Sequence, residues 1–549
     1  MAGDHPRQDR GWRRESFAVA ALAAATTLFA ASLTVADPDL WWHLRVGGDI
    51  WDERRVPRDD PYSFLSGEVP WVNHEWLAEA IMAALWRTGG EPGLVLLKVA
   101  VASALAWLTG RRLRRRGASL LSAALVAVAG LIAMLPSVGS LRPQIFSVLF
   151  VGVALLALDG SDPGARSRWW LPAMVALWAN LHGGVLLGAL LVVVWLAVEA
   201  VRVRHRSFAL DPGRPGEVRA PAGPARGREA GPAGWRLPAA SASLAAATLA
   251  ALAVNPYGPG LVRFLVEASV PRRELAEWQP LALGWFDGLS YAAGLAAAGL
   301  AMGAGPRAPS WPARACLALL AILPLIARRH HPFFVAAALV LAAPAAIHVL
   351  GAWVARRWPR AVQPSRPDRR WHPAIVWAMV IEAVVLAVAA VPRMRCIRVD
   401  PDAYPARAVE ILRRAGVEGD MAVFFDWGGY VLWRLGPRVR VSIDPRRESV
   451  YSPQAVAANL AWTLGEPAGD TIVGAPVSLA LVGPAWPAFA RLQGDGRWML
   501  AYADRTSALF VRSGAPQAAP VLEAARRGTV EPSRCLAGHP PAAWNRMGR

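Results

Sequence analysis

About eleven apolar runs divide the first 392 residues, at 17–36, 92–110, 118–136, 145–159, 169–182, 184–200, 238–254, 289–304, 314–327, 333–353 and 374–391. Most are long enough to cross roughly 30 Å of hydrocarbon as a helix. Backbone in lipid must satisfy its own hydrogen bonds, so only helices and closed barrels span, and continuous rather than alternating apolar runs select helices. Composition agrees, with 54% apolar residues, 18% charged and a mean hydropathy of +0.30 over 549 residues. The expected fold is mainly α, a polytopic transmembrane helical bundle of about eleven helices. The first run follows Arg13 and Arg14 and ends on Thr34-Val35-Ala36, a loose match to a signal cleavage site. Its length exceeds the roughly 7–15 residues of a signal core, which favours a retained helix.

Lys plus Arg number 59 against 40 Asp plus Glu, a net charge of +19, and Lys98 is the single lysine. In a soluble chain that excess would point to nucleic acid. Here the arginines cluster between apolar runs, at 111–116, in the 201–236 loop and in the 355–372 loop. Placing residues 1–16 in the cytoplasm puts all three clusters on the cytoplasmic side. No nucleic-acid partner is expected. The same threading leaves the 37–91 loop, the turn Asn255-Pro256-Tyr257-Gly258 and everything after 392 outside. Arginine in place of lysine, with abundant Ala, Gly and Pro, fits a GC-rich bacterial genome and hence a bacterial inner (plasma) membrane. The 201–238 segment, rich in Pro, Gly and Arg without periodicity, is expected to be a disordered cytoplasmic loop.

After residue 392 the texture changes. Helical spacing over 405–415 is followed by strand-like 421–425, a short helix near 430–435, and strand-like 439–443, 479–482, 498–503 and 508–512. These predict a small C-terminal extracytoplasmic α/β domain over 393–515 with a tail at 516–549. Cys396 and Cys535 fall on its oxidising side and could pair, although spacing alone does not decide it. Three cysteines exclude a disulfide scaffold or a thiolate cluster.

The chemistry concentrates where the first helix ends, at Asp37-Pro38-Asp39-Leu40-Trp41-Trp42-His43-Leu44. Two carboxylates at i and i+2 can converge on one cation or ligand, and Pro38 disfavours helix through Asp37. They could equally cap a helix in front of interfacial tryptophans. The surrounding 37–91 loop holds 11 acidic residues against 5 arginines in an otherwise basic chain, and a loop of this length is uncommon unless functional. It also carries His74-Glu75-Trp76-Leu77-Ala78-Glu79. Ala78 stands where the second histidine of a zinc-protease H-E-x-x-H motif belongs, so that reading is rejected.

An acidic pair after the first helix, a long first outer loop, many crossings and a C-terminal extracytoplasmic domain resemble the GT-C superfamily of membrane glycosyltransferases over about residues 15–392. The Asp-Pro-Asp-Leu-Trp-Trp-His-Leu and His-Glu-Trp-Leu patterns are similar to a broad group of its bacterial members. The resemblance implies transfer of a sugar from a polyprenyl-phosphate donor to a lipid-linked or surface glycan or a protein, with inversion. It makes Asp37 or Asp39 the base or a ligand of Mg²⁺ or Mn²⁺, either assignment being open. Such chemistry needs a base for the incoming hydroxyl and positive charge for the departing phosphate. His43, His74 and Glu75 complete the candidate catalytic set, and no nucleotide is expected outside the cytoplasm.

Ionisable groups near the apolar runs are the candidates for substrate binding. Arg142, Arg328 and Arg329 suit a phosphate through their guanidinium forks, with snorkelling helix ends as the alternative. His182 is either a ligand contact or an interhelical hydrogen bond. His330-His331 reads better as an interface than as a metal pair. In the C-terminal domain, Trp427, Tyr430 and Arg446 are candidates for sugar stacking, set against plain turns at strand ends. Two rivals belong to other classes: a transporter or flippase, which predicts an internal repeat that is not visible, and a non-catalytic envelope-assembly scaffold.

Overall fold

The computed structural model describes residues 5–67, 70–162, 165–209, 233–272, 275–284, 286–359, 371–474, 476–529 and 531–542. Most of the loop expected to be disordered at 201–238 lies outside them. The helical part runs α1 (His5–Ser32), α2 (Pro38–Glu53), α3 (Trp76–Arg115), α4 (Leu120–Val138), α5 (Gln144–Asp159), α6 (Leu171–Trp178), α7 (Val185–Ala209), α8 (Ala233–Ala251), α9 (Gly260–Ala268), α10 (Phe286–Met302), α11 (Trp311–Ile326), α12 (His331–Ala337), α13 (Ala343–Arg357) and α14 (Pro373–Met394). Among the described residues, five stretches are long and apolar enough to cross a membrane: Arg13–Ser32, Trp76–Arg115, Val185–His205, Arg328–Arg357 and Pro373–Met394. Every predicted run contains a helix. The run at 169–182 does so only through α6, whose eight residues rise about 12 Å. Its end is set by Asn180, whose side chain donates to the Ala176 and Val254 carbonyls, just before the Gly183-Gly184 pair.

The 37–91 loop is largely helical. Asp37 caps α2 by accepting from the Leu40 N–H at 3.0 Å, and Pro38 occupies the first helical turn, where its missing N–H costs nothing. α3 begins at Trp76, well before the apolar run, and kinks at Gly90, whose φ of 58° is a left-handed conformation suited to glycine. Lys98 is buried in α3 and donates to the carbonyls of Leu33 (2.6 Å) and Gly139 (2.5 Å). It ties the ends of α1 and α4 together beside the acidic pair.

The C-terminal domain contains α15 (Ala406–Ala415), β1 (Gly419–Val423), α16 (Phe425–Leu435), β2 (Val439–Val441), α17 (Pro453–Thr463), β3 (Leu479–Val482), α18 (Pro487–Gly494), β4 (Trp498–Ala503), β5 (Ala508–Arg512) and α19 (Ala518–Arg526). The sheet order is β2-β1-β3-β5-β4, parallel from β2 to β3 and antiparallel beyond. Met421 sits opposite both Val441 and Leu479. The stretch expected to be a tail supplies α19, which packs on α15, and Cys535, which forms a disulfide with Cys396. Cys316 is buried and free.

The C-terminal domain and the first loop share one core. Trp41 of α2 meets Tyr404, Tyr430, Trp433 and His539 at ring-centroid distances of 4.9 to 6.5 Å. Close approach of α16 depends on two glycines. A Cβ on Gly428 would lie 2.0 Å from the Ile443 carbonyl oxygen, and one on Gly429 2.8 Å from that of Pro38. Gly428→Ala is therefore expected to destabilise the domain by about 3 kcal/mol, above Gly429→Ala, because the clash is with backbone. Thermal unfolding of the purified chain checks the order, and an unshifted Gly428→Ala midpoint would contradict this packing.

Candidate active site

A cavity of about 520 Å³ opens where α2, the start of α3, the start of α5 and the C-terminal domain meet. Asp39, His43, His74, Glu75, Arg142, His182, Arg329 and Arg446 line it, so eight of the sequence-predicted residues, spread over about four hundred positions, border one space. Arg142, beside the N-terminus of α5, is the hub. It pairs with Asp37 through Nε, with Asp39 at 3.1 Å and with Glu277 at 3.0 Å. Asp37 and Asp39, the expected metal pair, converge on the Arg142 guanidinium, which supplies positive charge between the two carboxylates. Asp37 is further held as the α2 cap. Besides Arg142, Asp39 accepts a long bond from the Trp42 indole at 3.4 Å, and burial raises its carboxyl above the usual range against the pull of Arg142.

Across the cavity, three imidazoles surround Glu75. Its carboxylate lies 3.9 Å from His43 Nε2, 3.8 Å from His74 Nε2 and 3.6 Å from His182 Nε2. His182 Nδ1 accepts from the Gly184 N–H at 2.9 Å and lies 2.7 Å from Ser147 Oγ, which in turn accepts from the Trp178 indole. An occupied Nδ1 leaves the neutral ring's proton on Nε2, aimed at Glu75. His182 is thus hydrogen-bonded between helices, and it also lines the cavity. Burial pushes Glu75 up to about 7 and His74 down to about 4. Burial also opposes a charge on His43, but the hydrogen bond from Nδ1 to Glu79 (3.4 Å) and the charges of Glu75 and Glu79 outweigh it and hold the ring above its ordinary value.

His43, Glu75 and Glu79 each offer one ligand atom, all within 4.8 Å of one another. Asn73 donates to Glu79 Oε2 at 2.7 Å, orienting Oε1 towards His43. Two carboxylates and an imidazole fit Mn²⁺ better than Mg²⁺, which favours oxygen donors and water.

Arg328, Trp427 and Tyr430 lie outside the cavity lining. Consecutive side chains in the 3₁₀ turn Arg328–His330 diverge by about 120°. Arg329 therefore faces the cavity, pairing with Glu277 at 3.3 Å and lying 4.4 Å over Trp278, while Arg328 pairs with Asp287 at 3.0 Å outside the cavity lining. Trp427 and Tyr430 do not line it and are not available for stacking on a sugar. Trp427 stacks on Trp486 and donates to the Ala403 carbonyl, and the Tyr430 hydroxyl bonds His539. Arg446 borders the cavity as well, but its guanidinium is enclosed between Asp60 (2.7 Å) and Asp444 (2.6 Å).

Sequence reading missed Glu79, Glu277 and Asp426. Glu79 stands one helical turn after Glu75 on the same face of α3, a signal that periodicity carries. Glu277 and Asp426 reach the site only through tertiary packing. Burial, with Asp39 nearby, raises Asp426 to about 6. A folded pKa above the unfolded value makes the protonated carboxyl the stabilising form, so stability is full below about pH 4 and falls as the pH rises through about 6. Asp426→Asn is expected to stabilise the fold at pH 8 by about 1 kcal/mol after allowance for partial exposure, read as a raised unfolding midpoint, and to leave the midpoint unchanged at pH 4. Equal shifts at both pH values would remove the assigned ionisation.

No family model matches the chain, and no characterised sequence does either. Solved structures do. The oligosaccharyltransferase of Archaeoglobus fulgidus in its apo form aligns at a TM-score of 0.51 and 10% identity, covering 85% of this chain and 69% of that one. Archaeal AglB from the same organism, in complex with an inhibitory peptide and a dolichol-phosphate, aligns at 0.51 and 11%, covering 92% and 77%. ArnT from Cupriavidus metallidurans bound to undecaprenyl phosphate aligns at 0.50 and 13%, covering 91% and 98%. At such identities the likeness is one of fold alone, and the chain is a multi-pass membrane protein with the fold that these structures share.

Proposed function

We propose that the chain is a GT-C-type glycosyltransferase of a bacterial inner membrane, moving a sugar from a polyprenyl-phosphate donor to a hydroxyl or amide of a glycan, lipid or protein acceptor on the outer face. The observation that carries this reading is Arg142 bridging Asp37 and Asp39 in the wall of a cavity between membrane helices and the C-terminal domain. The AglB and ArnT structures that share the fold hold a dolichol-phosphate and undecaprenyl phosphate, which supports a polyprenyl-phosphate donor here.

In this mechanism Asp39 takes the acceptor proton as the acceptor oxygen or nitrogen attacks the anomeric carbon, and the bond from that carbon to the phosphate oxygen breaks. Asp39 suits the role because burial raises its basicity while Asp37 is committed as helix cap and ion-pair partner. Arg142 and Arg329 face the space where the leaving polyprenyl phosphate would gather charge. A divalent ion held by His43, Glu75 and Glu79 would add charge neutralisation. His74 and His182 orient Glu75 from the other side.

The test is transfer of radiolabelled sugar from a panel of polyprenyl-phosphate sugars into membranes containing or lacking the protein, each with and without chelator. Protein-dependent transfer supports the reading, and loss on chelation restored by Mn²⁺ assigns the ion. No protein-dependent transfer from any donor shown to be competent in the native membrane would sink it.

A further inference from the structure

A second cavity, of about 730 Å³, lies where the last turns of α1 and α14 meet the segment entering the C-terminal domain. Its lining shares no residue with the candidate active site. Three guanidinium groups stand around it, from Arg393, Arg398 and Arg534, against the carboxylates of Asp400 and Asp402. Asp400 already accepts from the Asp402 backbone N–H at 3.0 Å. Arg393 Cζ rests over the Phe29 ring, and its Nη1 is buried without a hydrogen-bond partner among the described residues. A buried donor on an always-charged group without an acceptor calls for one from outside the chain.

The other two arginines are presented from fixed backbone. The Arg398 N–H donates to the Thr34 carbonyl at 3.0 Å, the Arg534 carbonyl accepts from Val399 at 2.9 Å, and the Cys396–Cys535 bridge joins the two segments. Location names the kind of ligand. Two candidate membrane spans end here, at Ser32 and Met394. Below the cavity α14 exposes Ile381, Val384, Val385, Val388 and Val391 in a continuous apolar track. An acyl chain would lie along that track with its head at the arginines.

We infer that this cavity binds the phosphate of an anionic membrane lipid, with the acyl chains along α14, at a site separate from the one proposed for catalysis. The inference does not depend on glycosyl transfer. Positive charge at a span end, an orphan guanidinium nitrogen and an apolar track converge on one place, and guanidinium forks match phosphate oxygens in geometry.

The test uses the full chain in detergent, with bound lipid counted by native mass spectrometry against added phosphatidylglycerol or phosphatidylcholine. Retention of phosphatidylglycerol over phosphatidylcholine is expected, falling at least about tenfold in Arg398→Gln/Arg534→Gln, whose side chains are exposed and whose loss leaves packing intact. Arg393→Gln should weaken it by a similar factor, and Arg111→Gln, on a distant helix end, should leave it unchanged. Equal retention of both lipids would reduce the cavity to an apolar cleft, and wild-type retention in the double variant would overturn the site. Inorganic phosphate that displaces the lipid completely at millimolar concentration would assign the site to a soluble phosphate and overturn the lipid.

Discussion

Asp39→Asn is expected to lower sugar transfer by about 10²–10⁴-fold while the protein still inserts and folds, since a positioned general base contributes rate enhancement of that order. The variant keeps the shape of the side chain and its contact with the Trp42 indole. It removes the carboxylate's capacity to accept a proton and half of the negative charge that faces Arg142 across the pair. Asp37→Asn should behave differently. Asparagine caps a helix about as well as aspartate, so α2 stays in place, and the loss falls on the ion pair with Arg142. A reduction well short of that in Asp39→Asn is expected, with the pH dependence of transfer unchanged. The comparison is made on membranes matched for inserted protein. If Asp39→Asn transfers at the wild-type rate and Glu75→Gln does not, the base is Glu75, which burial has brought to about 7, and Asp39 becomes a positioning residue for Arg142.

The parts of this architecture that local pattern encodes were legible in the chain. Each apolar run contains a helix, although among the described residues only five stretches are long and apolar enough to cross a membrane, and the five strands each overlap an expected run, with β1 starting two residues early and Phe425 opening α16 instead. Asp37-Pro38-Asp39 was legible as a break, although which helix Asp37 terminates was not. It caps the helix that follows, a distinction that turns on backbone angles at Asp37. The hidden features depend on chain segments that meet only after folding. Glu277 and Asp426 join Asp39 from 238 and 387 residues away, and nothing in their neighbourhoods announces it. Trp427 and Tyr430 look like exposed aromatic ligands in a glycine-rich turn. The glycines instead allow α16 to approach α2 closely enough to bury both rings. Composition cannot tell an aromatic residue that meets a sugar from one that meets another aromatic.

Arg446 shows the same ambiguity with a larger energetic consequence. Its guanidinium is enclosed by Asp60 and Asp444, with the Tyr62 and Trp71 rings at 5.1 and 4.7 Å and the Tyr451 hydroxyl donating to Asp444 at 2.6 Å. None of these three charged side chains is more than 1% exposed. Asp60 and Tyr62 belong to the first loop and Asp444 to the C-terminal domain, so Arg446 joins the two across the wall of the cavity. Arg446→Ala would leave two carboxylates buried without a cation, a change worth about 3–5 kcal/mol. The unfolding midpoint of the C-terminal domain should fall on the order of 10 °C, and proteolysis should open the 54–73 stretch. The contribution belongs to the triad and not to the arginine alone. Arg446→Ala combined with Asp60→Ala should therefore cost clearly less than the sum of the single changes. An arginine serving as a sugar platform would give the opposite pattern, with stability unchanged, acceptor binding weakened and the two substitutions additive.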